Sequence, residues 1–296
     1  VTEGNLVINL VGSSGADIDF NNSTFYFGFT GNFLIRMISG GESSNYETIK
    51  NASFYGSASN TEEGKGRFGL NALKAHNVHF EHLSFYDAQS MGYHLFDLAA
   101  VDNFIFNDLE VRGFGKAGLS SLDRDRLYKS NPHALYSEAI QVDSAYEGCF
   151  GTYGFSDSTN IIFNKEKKGL PKNADSKAKI STNITLKNSY FGPYTGVIGQ
   201  GKIDNERYMA RQYFSATAIG SHCGTGTPKV TIMDNTFENT IYSELTTTDS
   251  RLYPIPFRNP KLDFILQSKN NFINQHGNSK KNGYLLNSRY VAWYKN

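Results

Sequence analysis

One phrase recurs along this chain, and it limits the possible folds more tightly than any other feature. It opens on a β-branched or aromatic residue, alternates apolar with polar, passes through a polar residue that is often Asn or Asp, and ends on Phe or a substitute for it. Copies run Ile18 to Phe25, Glu47 to Phe54, Val78 to Phe85, Phe104 to Val111, Ile184 to Phe191 and Val230 to Phe237, with weaker ones from Ile265 to Phe272 and Gly283 to Tyr290. Period-two alternation marks strands with one face on a core. A strand that returns every 26 to 31 residues, as positions 25, 54, 85 and 111 do, cannot bury its inner face alone, so successive coils must stack. A β-sandwich also has alternating strands, but it gives no reason for the same phrase to end on Phe each time. The expectation is an all-β chain: a right-handed single-stranded parallel β-helix over residues 1–296, one domain, with loop insertions on one face. Later intervals of 80, 46 and 35 residues are too long for single coils without insertions.

A second strand in each coil lies across a corner from the first. His94 to Leu98, Glu138 to Asp143 and Ala216 to His222 align so that Phe96, Ile140 and Ile219 share an inward column. Gln141 and Asp143 then face outward, as do Gly220 and His222, and Asp97 shares the column of Gln141 and Gly220. If the strands at 138 and 216 are neighbours, Asp143 and His222 nearly touch. A carboxylate that close raises the imidazole pKa and lowers its own. Such a pair serves as a catalytic couple, a binding site or a tie between coils. Glu138 is the remaining acid, but alternation points it away from Asp143, whereas glycoside hydrolysis usually needs two carboxyls flanking one bond.

The insertions carry groups that hold sugars. Tyr146, Phe150, Tyr153 and Phe155 follow Asp143; Arg207, Tyr208, Arg211 and Tyr213 precede the His222 strand. Aromatic faces stack on pyranose rings and Arg grips a carboxylate through two parallel hydrogen bonds, which suits an acidic polysaccharide. Ligand-binding candidates are therefore Gln141, Asp143, Tyr146, Tyr153, Arg207, Tyr208, Arg211 and His222, with Asp143 and His222 doubling as catalytic candidates. Because Tyr and Phe abound here (18 and 22), each is also a packing candidate. His76, His79 and His82 read as surface or stacking residues, His79 facing opposite to the other two. Asn51, Asn188 and Asn287 share one position in the phrase and read as bend residues that stack between coils. Leu119 to Lys129 and Asn205 to Tyr213 are the only helical possibilities.

Composition enters chiefly by exclusion. A formal charge of +1 gives no general case for nucleic acid, and no apolar run reaches the roughly 18 residues of a membrane helix. Cys149 and Cys223 are too few and too far apart for a zinc site; they are either two idle thiols or one disulfide. Neither a metal nor a cofactor is expected. The chain opens in strand-like sequence, as a piece excised from a larger protein would.

The phrase typified by Asn183 to Phe191 resembles the coils of the pectate-lyase-like parallel β-helix superfamily across most of the chain. Glu138 to Asp143 and Ile219 to His222 resemble degenerate polygalacturonase segments: the adjacent acidic pair is missing, and His222 is followed by Cys223 rather than Gly. The chain is also similar to the ligand-binding regions of serine-rich-repeat surface adhesins of gut lactobacilli. That resemblance implies a secreted, wall-anchored adhesin module, sensitive to pH, whose partners are pectin-like acidic polysaccharides or host mucin glycans. The rival expectation is a polysaccharide hydrolase or lyase working through Asp143 and His222. A third is a structural spike that binds no glycan.

Overall fold

The structure is a computed structural model that describes residues 5–10, 13–26, 31–38, 45–56, 67–88, 94–113, 139–143, 181–192, 194, 218–220, 229–238, 263–267 and 270–273. The described residues form strands joined by bends, with no helix among them. The helical possibilities at 119–129 and 205–213, both cysteines and the 283–290 copy lie outside the described residues.

The chain alternates between two all-parallel sheets. The first, sheet A, takes β1 (Asn5–Asn9), β3 (Asn32–Ile38), β5 (Arg67–Leu73), β7 (Phe96–Ala99), β9 (Ile140–Asp143) and β12 (Ile219–Gly220), in that spatial order. Sheet B takes β2 (Asp17–Tyr26), β4 (Asn45–Tyr55), β6 (His76–Tyr86) and β8 (Asp102–Arg112). It continues as pairs of shorter strands: β10 (Thr182–Lys187) with β11 (Tyr190–Gly192), β13 (Lys229–Met233) with β14 (Thr236–Glu238), and β15 (Asp263–Gln267) with β16 (Asn271–Ile273). Each excursion returns to the neighbouring slot of the same sheet, the arrangement the repeat requires.

Corners explain why Asn and Asp recur in the phrase. Asn51, His82, Asp108, Asn188 and Asp234 follow one another from rung to rung, and all have φ between +52° and +62°. An L-residue in this left-handed region costs roughly 1–2 kcal/mol, which Asn and Asp reduce by bonding locally. At this corner the strand bends, so β8 is one long strand where β10 and β11 count as two. A second corner column, Tyr46, Asn77, Asn103 and Asn183, has φ of +52° to +61°. Amides clamp these corners across rungs: Asn103 Nδ2 donates to Asn77 Oδ1 (2.7 Å), and Asn188 Nδ2 to Asn107 Oδ1 (2.9 Å). The two corners also correct the histidine alternation. With Asn77 and His82 in the left-handed region, strict alternation fails, and His76, His79 and His82 all lie outside the core. His82 Nδ1 meets Asp108 Oδ2 of the next rung at 2.6 Å.

The core is made of inward columns. Phe25, Phe54, Phe85, Val111, Phe191, Phe237 and Phe272 are in register. Ring centroids stack at 5.2 Å for Phe25–Phe54, 5.3 Å for Phe54–Phe85 and 5.5 Å for Phe191–Phe237. From sheet A, Phe33, Phe68 and Phe96 close on these rings, so both sheets share one apolar cluster. Burying such a side chain contributes roughly 1.5–3 kcal/mol. Two copies of the phrase are out of step. Ile18 pairs with Ile49, not Glu47, and β2 then shifts register between Asp19 and Ser23, where Asn21 and Asn22 both turn left-handed. Near the other end Phe264, not Ile265, pairs with Val230.

Candidate functional site

The two strands singled out for function are direct neighbours. Ile140 pairs with Phe96 on one side and Ile219 on the other, and Gln141 pairs with Asp97 and Gly220. No rung separates β9 from β12. In sheet B, β10 pairs directly with β8, so the 80-residue excursion between them is one coil carrying insertions. The apolar fragment at 160–163 lies outside the described residues, and the slot beside β8 is filled by β10.

Sheet A sets the surroundings of this site. Its inward residues Ile140 and Val142 are fully buried, as their alternation demands. On the opposite side Gln141 continues a polar ladder from Asn71 and Asp97, in which Asn71 Nδ2 donates to Asp97 Oδ2 at 3.1 Å. Gln141 is nevertheless only 6% exposed, so the outer side of the sheet is closed to solvent at this rung. Asp143 ends β9 in register with Ala99 and, one rung further, Leu73; both are fully buried. His222, Glu138, Tyr146, Tyr153, Arg207, Tyr208 and Arg211 lie outside the described residues.

Chain direction adds a constraint that sequence order hides. Since β9 and β12 run parallel, the segment bearing Tyr146 and Tyr153 leaves from the C-terminal end of β9. The segment bearing Arg207, Tyr208 and Arg211 enters at the N-terminal end of β12. Four strand residues span about 13 Å.

Beyond the corner column, the last stretch of sheet B carries an outward lattice. Tyr26, Tyr55, Tyr86 and Arg112 occupy one column, each following the inward Phe or Val. Tyr26–Tyr55 stack at 5.0 Å, Tyr55–Tyr86 at 4.5 Å, and Tyr86 meets Tyr194 at 5.4 Å. Gly192 then takes the column position; a Cβ there would lie 2.3 Å from the Tyr190 hydroxyl, so its absence lets Tyr190 fold across and take the Arg112 guanidinium 4.0 Å above its ring. Tyr86 donates to Glu110 Oε2 (2.7 Å), Arg112 Nε donates to Glu110 Oε1 (2.5 Å), and Tyr190 donates to Glu238 Oε2 (2.5 Å). Burial, reinforced by the bond to a carboxylate, pushes both the Tyr86 and Tyr190 hydroxyls up to about 12, so they remain donors. Within the lattice Tyr86 and Arg112 share Glu110 and Tyr190 takes Glu238, while Tyr26 at its start is 63% exposed. Reading the phrase as ending on Phe missed this column; the signal was the Tyr directly after Phe25, Phe54 and Phe85.

No family model matches the chain, and no curated protein sequence matches it. Among solved structures the chain is similar to PfbA, a surface adhesin of Streptococcus pneumoniae, with a TM-score of 0.47 and 14% identity. The likeness covers 91% of this chain and 53% of the adhesin, so the chain spans about half of that protein. Among the described residues, no helix is long and apolar enough to cross a membrane.

Proposed function

We propose that this chain is the glycan-binding module of a cell-surface adhesin, wound as a closed right-handed parallel β-helix, and that it takes acidic polysaccharide of the pectin type or mucin-type glycans. One observation carries the reading: β9 and β12 are adjacent and in register, so the two segments rich in Tyr and Arg are tethered to neighbouring rungs of one rigid sheet. Arg207 and Arg211 are the groups suited to a uronate or sialate carboxylate, and Tyr146, Tyr153 and Tyr208 to the sugar faces. Calorimetric titration with polygalacturonate and with mucin, at acid and neutral pH, tests it. Micromolar binding weakened at least tenfold by Arg211→Ala is the expected result, and no binding to either polymer would sink the proposal.

The same pairing favours a second reading. β9 and β12 are neighbours, and a carboxylate from Asp143 working with the imidazole of His222 is the couple that a polysaccharide hydrolase or lyase would use. Incubation with pectins, followed by assays for reducing ends and unsaturated products, separates the two. Turnover abolished by Asp143→Asn would establish the enzyme; intact polymer would leave the adhesin.

A further inference from the structure

The strongest departure from the repeat lies away from this site, at the other end of the coil stack. The inward column that opens each sheet B rung reads Glu47, Val78, Phe104, Ile184 and Val230. Four members are apolar and at most 1% exposed; Glu47 is equally buried, at 1%. A carboxylate in an otherwise apolar column breaks the local rule, and such breaks tend to mark function or strain.

Its neighbours show how it is tolerated. Ser13 Oγ is hydrogen-bonded to Glu47 Oε1 and also lies 3.0 Å from the Leu10 carbonyl oxygen. Glu47 Oε2 is buried with no hydrogen-bond partner among the described residues. A hydroxyl owns one proton. With Glu47 protonated, its own O–H donates to Ser13 Oγ, and Ser13 donates onward to Leu10, so both bonds form. With Glu47 ionised, Ser13 has to serve the carboxylate and abandon the carbonyl, while the second carboxylate oxygen stays dry and unpaired, a costly state. The arrangement suits the acid form.

Among the described residues, charged neighbours do not rescue the ionised form. Besides Glu47, the titratable groups are Asp17, Asp19 and Tyr26 on β2, Arg36 on β3, Tyr46, Lys50 and Tyr55 on β4, and His76, His79, Glu81, His82 and Tyr86 on β6; all occupy outward or corner positions. Lys50, the nearest cation along β4, is engaged by Asp17 at 3.1 Å. Burial accordingly raises the Glu47 carboxyl above its ordinary 4.5, and the Ser13 bond offsets only part of that.

What Glu47 holds is a rung whose described strands are largely exposed. β2 is mostly exposed, and Leu6 and Val7 of β1 are 51% and 41% exposed. Apart from strand pairing, the corner between β1 and β2 is tied to β4 by Ser13–Glu47 and by Thr48 N to Ala16 O at 2.9 Å. We propose that Glu47 and Ser13 form a proton-operated latch: the edge coil β1–β2 is held closed while Glu47 keeps its proton and is released when the proton is lost. A carboxyl raised in the folded state contributes stability that is complete below its unfolded value and lost as pH rises through the folded value. The coil therefore opens upward from the ordinary carboxyl range.

Hydrogen exchange of the full chain between pH 4 and 8, read on peptides covering 5–26 and corrected for intrinsic exchange, tests the latch. In the native protein, protection of these peptides should fall at least tenfold across the range, while peptides covering 78–86 and 102–112 hold constant. Glu47→Leu, which restores the apolar column, should leave the edge coil protected at every pH; Glu47→Gln should likewise abolish the pH dependence even if protection is lower. Ser13→Ala should lower protection at pH 4. A flat profile in the native protein, or an unchanged slope in Glu47→Leu and Glu47→Gln, would overturn the proposal.

Discussion

Strands β5 and β8 obey the same alternation, yet their outer sides meet different surroundings. On β5 three of the four outward positions, Arg67, Gly69 and Leu73, are buried, Arg67 to 8% and Leu73 completely, and only Asn71 is half-buried. On β8 the outward positions Ile105, Asn107, Glu110 and Arg112 are all partly open to solvent. An outward place in the sequence pattern is thus not the same thing as access to solvent. Sheet A is largely closed on both sides at β5, the condition under which strands lose polar alternation; Gly69 and Leu73 are its small and apolar outer residues, while Arg67 and Asn71 stay polar. Gln141 belongs to that closed side, whereas the tyrosine lattice belongs to the open one.

The largest test of this contrast is a matched truncation. Leu73→Ala should cost about 2–5 kcal/mol in denaturant unfolding, because a cavity forms on a closed face, and Ile105→Ala about 1 kcal/mol or less. Equal costs would mean that the two sides are packed alike. Next comes Gly69→Ala, whose new Cβ would stand 2.5 Å from Arg67 Nη1 and 3.2 Å from Leu34 Cδ2. Since Arg67 is itself buried, overpacking of about 1–3 kcal/mol is expected in thermal unfolding.

On the open side, Glu110→Gln should bring the Tyr86 titration down from about 12, read from tyrosinate absorbance, without reaching the free value, because burial remains the larger cause. The associated pH dependence has a definite sign. A hydroxyl raised in the folded state stabilises fully below the unfolded value of 10 and ceases to do so as pH climbs toward about 12. Glu110→Gln should therefore flatten alkaline unfolding. The smallest effect concerns the corner: Asn188, at φ +53°, replaced by Ala should unfold about 1 kcal/mol more easily than the same site replaced by Gly, since both lose the bond to Asn107 and only Ala keeps a Cβ.

Much of the scaffold was legible because strand periodicity is local. The phrase ending on Phe54, Phe85, Phe191 and Phe237 named a core column that the register bears out, and Phe96, Ile140 and Ile219 align as their sequence pattern suggests. The first copy was misaligned because Asn21 and Asn22 are both suited to a left-handed corner, and nothing in the pattern shows that β2 uses both. The tyrosine column was missed through a different error: its residues stand just past the Phe at which the phrase was taken to end. At the candidate site, the column of Gln141 with Asp97 and Gly220 was readable, but the closure around Gln141 was not, since burial of an outward residue depends on what other parts of the chain bring to it.

By itself, then, the amino-acid order determined which residues form strands, which side chains turn inward, and which Asn and Asp positions bend the chain. Tertiary structure alone decided that β10 lies beside β8 across 80 residues while β8 lies beside β6 across 26. Loop closure barely distinguishes them: lengthening the excursion from 26 to 80 residues adds about 1 kcal/mol of closure entropy, which a few stacked core side chains outweigh. It also decided that the buried Glu47 would find Ser13, 34 residues away in the chain. Periodicity is written into neighbouring residues, but adjacency, solvent exclusion and proton sharing arise only when distant rungs meet.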